Sequence, residues 1–159
     1  MPKATRPRKD RVTPVPVVRL GPLEDFIGFH LRLAQEASFR AFAQRVGDRR
    51  LRPSRFAIMA LIAENPGITQ TALSRASARD KSTLTTALDD LVVRGLVLRG
   101  RAPEDRRSYA LMLTARGRQV LARLMTHAAA HDRQLDELVG PAGKLALLRL
   151  LRRIIGGLD

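Results

Sequence analysis

Apolar side chains recur at helical spacing along most of this chain, and one short stretch in the second half breaks that rhythm with strand character. Leu23, Phe26, Ile27, Phe29, Leu31, Leu33, Phe39 and Phe42 predict a first helix from about Pro22 to Arg45. Proline suits the opening turn, and Glu24 and Asp25 complement the positive end of the helix dipole. These apolar residues cover more than one side, so the helix needs burial on two faces, partly against another subunit. A second helix follows Leu51-Arg52-Pro53, with Ser54 as its cap and Phe56, Ile58, Met59, Leu61 and Ile62 as its core, and Asn65-Pro66-Gly67 ends it. Thr69 caps a short helix from about Gln70 to Ala78 in which Leu73 is the main buried residue. Asp80 caps the next, where Leu84, Leu88, Leu91 and Val92 repeat on one face until Gly95 closes it.

The break is a hairpin. Leu96, Val97 and Leu98 precede a turn, and Tyr109, Leu111 and Leu113 follow it. The connector carries Arg99, Arg101, Arg106 and Arg107 against Glu104 and Asp105. Thr114 then caps a long helix to about Val139, with a stripe of Val120, Leu121, Leu124, Met125, Ala128, Leu135 and Leu138. Gly140-Pro141 breaks it, and a last helix carries Leu145, Leu148, Leu151, Ile154 and Ile155 to Gly156-Gly157. Two helices meeting around Ser77-Ala78-Arg79, followed by an arginine-tipped hairpin, have the order of a winged helix-turn-helix. The expected fold is mainly α with a small β-hairpin wing. Residues 1–21 form a basic, proline-rich arm, 22–49 and 115–159 are dimerisation helices, and 50–114 are the DNA-binding unit.

Charge narrows the function. Lys and Arg number 29 against 15 Asp and Glu, a formal net charge of +14, which favours a polyanionic partner, nucleic acid before membrane. The basic arm suits DNA phosphates, a partner subunit or plain solvation about equally. With no cysteine, disulfides and thiol chemistry are excluded. No apolar run is long enough to cross a bilayer and no signal peptide core is evident, so a cytoplasmic protein is expected. Aromatic residues are 4%, too few for single-strand binding by base stacking. No Gly-rich phosphate loop and no supported Ser–His–Asp set marks an enzyme.

The outward face of the Asp80 helix holds Ser82, Thr85, Thr86 and Asp89, short and polar enough to approach base edges in a major groove. Alone it would equally be a solvated helix face; the arginine hairpin after it favours DNA. Ser82, Thr83, Thr85 and Thr86 are therefore assigned to bases or adjacent phosphates, Arg79 and Lys81 to phosphates. At the wing, Asp105 orients an arginine while Arg106 or Arg107 enters the minor groove, whose negative potential favours guanidinium. Arg99 and Arg101 add to the same basic tip.

Over nearly everything from about residue 22 to the end, the chain resembles the MarR family of bacterial transcription regulators. The resemblance rests on Asp80-Lys81-Ser82-Thr83-Leu84 running on to Leu91-Val92-Val93-Arg94-Gly95-Leu96-Val97, on Pro103-Glu104-Asp105-Arg106-Arg107, and on Leu111-Met112-Leu113-Thr114-Ala115-Arg116-Gly117. It implies a homodimer with intertwined terminal helices that grips a palindromic operator. It also implies a repressor released by a small ligand held between the dimer region and the DNA-binding lobe, often a phenolic or aromatic acid or its CoA thioester.

Candidate ligand residues are His30 and Arg32 beside Phe26 and Phe29, with Arg19 adding charge from the arm; a dimer-interface role for His30 is the competing reading. His127 and His131 at i, i+4 share a helix face, the spacing of a two-histidine metal clip. Glu24, Asp25, Glu36 or Asp48 would have to complete it, so no metal or other cofactor is assigned; packing or an organic pocket explains the pair as well. The rival functions are a zinc-responsive regulator of the same fold and a ligand-independent architectural DNA-binding protein. Replacing Arg107 by Ala is predicted to weaken specific DNA binding by roughly 1–3 kcal/mol. Operator titration measures this, and wild-type affinity in that variant would contradict the wing assignment.

Overall fold

In the computed structural model, residues 18–46, 53–101 and 109–158 are described. The chain divides into two units, one ending at Ala34 and one running from Gln35 to Asp159. In the first, the expected single helix from Pro22 is interrupted. A 3-10 turn spans Gly21–Asp25, and Phe26 is extended with ψ 111° before helix α1 (Ile27–Val46) begins. Pro22 does open the first turn, but that turn closes locally, with the Phe26 N–H donating to the Leu23 carbonyl at 3.2 Å.

The second unit continues α1 and adds α2 (Pro53–Glu64), β1 (Ile68–Thr69), α3 (Gln70–Ala76), α4 (Lys81–Val93), β2 (Val97–Arg101), β3 (Tyr109–Leu113) and α5 (Ala115–Leu158). Ser54 lies inside α2 rather than capping it. Asn65-Pro66-Gly67 ends α2 as expected, with Gly67 at φ +89°, a backbone region open to glycine. Past that turn the chain makes a strand too short to show in the hydrophobic pattern. Ile68 and Thr69 pair antiparallel with Leu111 and Ala110, giving a three-stranded sheet of order β1-β3-β2. The hairpin ladder also runs further than Leu98. Arg99, Gly100 and Arg101 pair with Leu111, Ala110 and Tyr109, so both arginines belong to β2 rather than to the connector. Backbone pairing is indifferent to side-chain polarity, which is why an arginine can sit in the ladder.

The core lies inside this second unit. Ile58, Met59 and Ile62 from α2, Leu73 from α3, and Leu84, Leu88 and Leu91 from α4 are fully buried, with Leu96, Val97, Leu111 and Leu113 from the sheet side. Leu121 and Leu124 of α5 complete the same cluster. The first turns of α5 therefore share one core with α2, α3, α4 and the sheet. Beyond them α5 bends at Gly140 (φ 71°, ψ 166°), followed by Pro141, where the break was expected. Lys144 reaches back across the bend to Asp136 at 2.7 Å and Asp132 at 3.2 Å.

One junction ties α4, β2 and α5 together. Gly95 ends α4 at φ +66°, its N–H donating to the Val92 carbonyl while the Leu96 N–H donates to Leu91, both at 2.9 Å. This is the Schellman closure that glycine permits. The Leu96 carbonyl then accepts from the Thr114 N–H at 3.0 Å. The Thr114 hydroxyl accepts from the Gly117 N–H at 2.8 Å, capping α5, and donates to the Gly95 carbonyl at 2.8 Å. A Cβ on Gly117 would lie 2.0 Å from the Leu96 oxygen, so no other residue fits without moving backbone.

Gly117→Ala is therefore expected to destabilise the protein by roughly 1–3 kcal/mol, the range for forced overpacking. Denaturant unfolding would show a lower midpoint with unchanged slope; an unmoved midpoint would mean that the approach of α5 to Leu96 is not a constraint. The Lys144 clasp gives a pH signature. Asp136 first, then Asp132, raises the Lys144 pKa above its ordinary 10.5. A folded pKa above the unfolded one means that the stabilisation is complete below the ordinary value and is lost as pH climbs through the raised one. Wild type should lose melting temperature more steeply than Lys144→Met over that alkaline range, and parallel curves would deny the clasp a role.

Candidate functional site

Helix α3, the turn at Ser77-Ala78 and helix α4 form the surface best suited to a duplex. Thr69 caps α3, its hydroxyl accepting from the Ala72 N–H. The turn is tight. Ser77 Oγ donates to the Leu73 carbonyl at 2.7 Å, and Ser74 Oγ donates to the Arg79 carbonyl at 2.7 Å. Ala78 sits at φ 49°, a strained value for a residue with a Cβ. Asp80 caps α4, accepting from the Thr83 N–H at 2.8 Å and from the Ser82 hydroxyl at 2.5 Å. The Ser82 bond above all, with the Thr83 N–H next, holds the Asp80 carboxyl well below the usual carboxylate range, so α4 begins on a fixed negative charge.

Lys81, Ser82, Thr83 and Thr86 are exposed along the outer face of α4. Thr85 is different: it is half-buried, accepts from the Gln70 amide at 2.7 Å and donates to the Lys81 carbonyl at 2.7 Å. That side chain braces α3 against α4. The Thr86 hydroxyl is turned back onto the Ser82 carbonyl at 3.2 Å. Ser82, Thr85 and Thr86 thus give their protons to Asp80, Lys81 and Ser82 within the protein. What Ser82 and Thr86 present outward is oxygen as an acceptor.

Arg99, on β2, faces α4. Its Nη1 lies 2.7 Å from Asp89 Oδ1, while its Nε and Nη2 are buried without a hydrogen-bond partner. This ion pair fixes β2 against α4. A second brace sits at the other side of α4, where Arg55 Nε donates to Asp90 at 2.7 Å. Arg101 lies in β2. Asp105, Arg106 and Arg107, like the arm through residue 17 and Asp48, lie outside the described residues.

The ligand and metal candidates separate. In the first unit the exposed His30 donates from Nε2 to the Glu24 carbonyl at 2.7 Å, so that ring nitrogen carries the proton and serves the backbone. Phe29 meets the His30 ring edge-on, and the Arg32 guanidinium lies 5.5 Å from the Phe29 ring centre. Phe26 is 56% exposed. His30 borders a shallow cleft of about 310 Å³ with Glu24, Asp25 and Ile27, in which neither Phe26, Phe29 nor Arg32 takes part.

His131 is in another setting. It is 8% exposed, its Nε2 lies 2.9 Å from Ser38 Oγ, and Nδ1 is buried with no partner. Phe42 packs edge-on against the ring at 5.8 Å. His131 and Ser38 line a cavity of about 470 Å³ whose other walls include Phe39, Phe42, Phe56 and Met125, with Asp132 at its polar side. His127 does not line it. Among the described residues, no three side chains of His, Asp or Glu converge as metal ligands. The cavity was missed in the sequence because it joins α1 to α5 across 93 positions; the one local signal was a histidine in the apolar stripe of α5.

Comparison with known proteins agrees with this architecture. The family model described as MarR family matches residues 51–109. A putative transcriptional regulatory protein for the hcr operon of Thauera aromatica is 34% identical over 135 residues, 84% of this chain and 81% of that protein. Among solved structures, the transcriptional repressor CouR bound to a 23-mer DNA duplex superposes with a TM-score of 0.80 at 36% identity, covering 88% of this chain and 99% of CouR. CouR bound to p-coumaroyl-CoA also gives 0.80, at 34% identity over 87% and 98% of the two chains. The winged helix-turn-helix built on α3, α4 and the β-sheet is thus shared, and the chain belongs to the MarR family of transcription regulators.

Proposed function

We propose that this protein is a homodimeric, sequence-specific repressor acting on double-stranded DNA with a palindromic operator, released when an aromatic effector enters the cavity at His131. The observation that carries the DNA reading is the outer face of α4. Lys81, Ser82, Thr83 and Thr86 stand exposed on a helix whose inner face is fully buried and whose flanks are pinned by Arg99–Asp89 and Arg55–Asp90. A rigid polar helix face next to an arginine-bearing strand is what a major groove and its flanking phosphates require. Arg79 and Lys81 hold phosphates, and Arg101, Asp105, Arg106 and Arg107 serve the wing. Thr85 acts through Gln70 as a brace. The charge of +14 supplies the non-specific attraction.

The dimer is supported by apolar surface left uncovered within one chain. Leu138, Leu145, Leu150, Ile155 and Leu158 on α5, and Leu23, Phe26 and Ile27 near the start, are all exposed. Such area on terminal helices calls for a second copy. The effector reading draws on the cavity, on an aromatic CoA thioester bound to CouR, and on a buried histidine nitrogen that lacks a partner. The chain acts as a regulator and not as an enzyme, with no cofactor. Among the described residues no helix is long and apolar enough to cross a membrane, which suits a cytoplasmic site of action.

Selection of duplexes from a random pool, followed by titration of the winner, tests this. The selected duplex should bind some 10³–10⁷ times more tightly than random DNA. Its affinity should fall with salt at a log–log slope near −0.9 per phosphate neutralised. Equal affinity for both duplexes would make this an architectural protein. A panel of p-coumaroyl-CoA, p-coumarate, other hydroxycinnamates, benzoates and zinc would follow by thermal shift. An effector at a hundred times its dissociation constant should add about 2.7 kcal/mol of stability and release the operator. A flat panel would overturn the effector half of the reading, and a response to zinc alone would replace it by metal sensing.

A further inference from the structure

Helix α4 carries a stripe of exposed residues opposite its buried side. At about 100° per residue, Ser82, Thr86, Asp89 and Val93 fall within roughly 60° of one another. Leu84, Leu88 and Leu91 lie on the far side and are fully buried. In hydrogen-bonding character the stripe is one-sided. The Ser82 proton is on Asp80 and the Thr86 proton on the Ser82 carbonyl. Asp89 is a carboxylate and accepts only. Val93, 86% exposed, adds no polar group at all. Asp89 is also the stripe's one charge, negative in a chain whose net charge is +14. Phosphates would repel it, so it needs compensation, and Arg99 supplies that. Arg99 Nη1 lies 2.7 Å from Asp89 Oδ1. This end-on contact occupies one carboxylate oxygen. Oδ2 takes part in no ion pair or hydrogen bond among the described residues, and the Asp89 side chain stays 54% exposed. The buried Nε and Nη2 of Arg99 keep its guanidinium between β2 and α4.

We propose that Asp89 is a specificity-determining residue that accepts a hydrogen bond from the 4-amino group of a cytosine in each half-site, with Arg99 as its positioning residue. This rests on the DNA reading above and deepens it by naming a base. In the major groove the amino groups of cytosine and adenine donate, while guanine O6 and N7 and thymine O4 accept. A carboxylate is repelled by each of those acceptors. Adenine sets its acceptor N7 beside the amino group, whereas cytosine has no acceptor on that edge, so cytosine suits a carboxylate best. Helical rise places Asp89 about 10 Å along the axis from Ser82, the length of about three base-pair steps. The cytosine therefore lies apart from any base met by the start of α4. Arg99 serves this contact in two ways. Its charge offsets that of Asp89 against the phosphates, and its hold on Oδ1 leaves Oδ2 open. A brace between β2 and α4 would need neither the exposure of Asp89 nor an open oxygen.

Selection of duplexes from a random pool by the full wild-type chain and by Asp89→Asn tests this, with melting curves to verify that the variant folds. The wild-type operator should carry a cytosine in each half-site whose selection depends on Asp89. In Asp89→Asn that position should change to adenine, because an amide accepts from N6 and donates to N7. Preferences elsewhere in the site should stay as they were. Arg99→Met should flatten the cytosine preference at that position alone, and Arg99→Lys, which keeps the charge, should restore most of it. A second measurement places N4-methylcytosine at the same position of the wild-type operator. This base still pairs with guanine but turns a methyl group, in place of the N–H, into the groove. Wild type should bind it about tenfold more weakly, the equivalent of about 1.4 kcal/mol. Asp89→Asn should bind the methylated and unmethylated forms alike. Uniformly lower affinity of Asp89→Asn with every preference unchanged would make the ion pair a brace and overturn the proposal. So would a cytosine preference that survives Arg99→Met, or an equal loss on methylation in wild type and Asp89→Asn. A pool that yields no preferred duplex would overturn the sequence-specific reading along with it, whereas a selected operator indifferent to Asp89 would leave that reading standing.

Discussion

The carbonyl of Leu96 is the point on which the arrangement of helix, sheet and long helix depends. It accepts from Thr114, whose hydroxyl caps α5, and it lies so close to Gly117 that a Cβ there would overlap it. The Leu96 N–H closes the end of α4. One residue thus fixes the end of α4, the root of β2 and the start of α5. Because Leu121 and Leu124 are only one and two turns further along, α5 reaches the core at an angle set by that contact. The bracing outward from this point is electrostatic. Arg99 and Asp89 join the wing to α4, and Gln70 and Thr85 join α3 to α4. Each bond is modest by itself, and on exposed faces an ion pair contributes less than about 1 kcal/mol. Their value is positional, since a reading helix must be held in register before its side chains can discriminate.

The same logic governs the hydroxyls on α4. A threonine on a helix can return its proton to the carbonyl four residues back, and Thr85 and Thr86 both do. Ser82 gives its proton to Asp80. Lys81 and Arg79 flank this acceptor surface, and under the proposed function it would meet donors on base edges and the phosphates around them. The strongly acidic Asp80 carboxyl keeps that pattern intact at physiological pH, because its stabilisation is complete above the ordinary carboxylate range and is lost as pH falls from there through the lowered value.

Local signals in the sequence were sufficient where chemistry and geometry lie within a few residues of each other. Thr69, Asp80 and Thr114 as caps, Gly95 and Gly140 as ends, and the Leu84–Leu88–Leu91 face are all present as expected. The failures were long-range or sequence-blind. Strand β1 has two residues and exists because β3 offers an open edge. Arg99 joined the ladder because backbone pairing ignores side chains. Phe26 broke the first helix after a turn that closes on itself. The cavity lined by Ser38 and Phe42 of α1, Phe56 of α2 and His131 of α5 gathers residues far apart in sequence, which no local pattern shows. Periodicity flagged the right helix for His131 but could not say what stands opposite it.

The central claim is that two copies of this winged helix read one duplex from the same side. Hydroxyl-radical footprinting of the protein on its selected operator tests it most directly. The account predicts protection symmetric about the centre of the palindrome, with the two half-sites about 34–36 Å apart, one helical turn. Flanking minor-groove protection from the two wings should accompany it. A single protected patch without a dyad, or uniform protection without helical phasing, would contradict it.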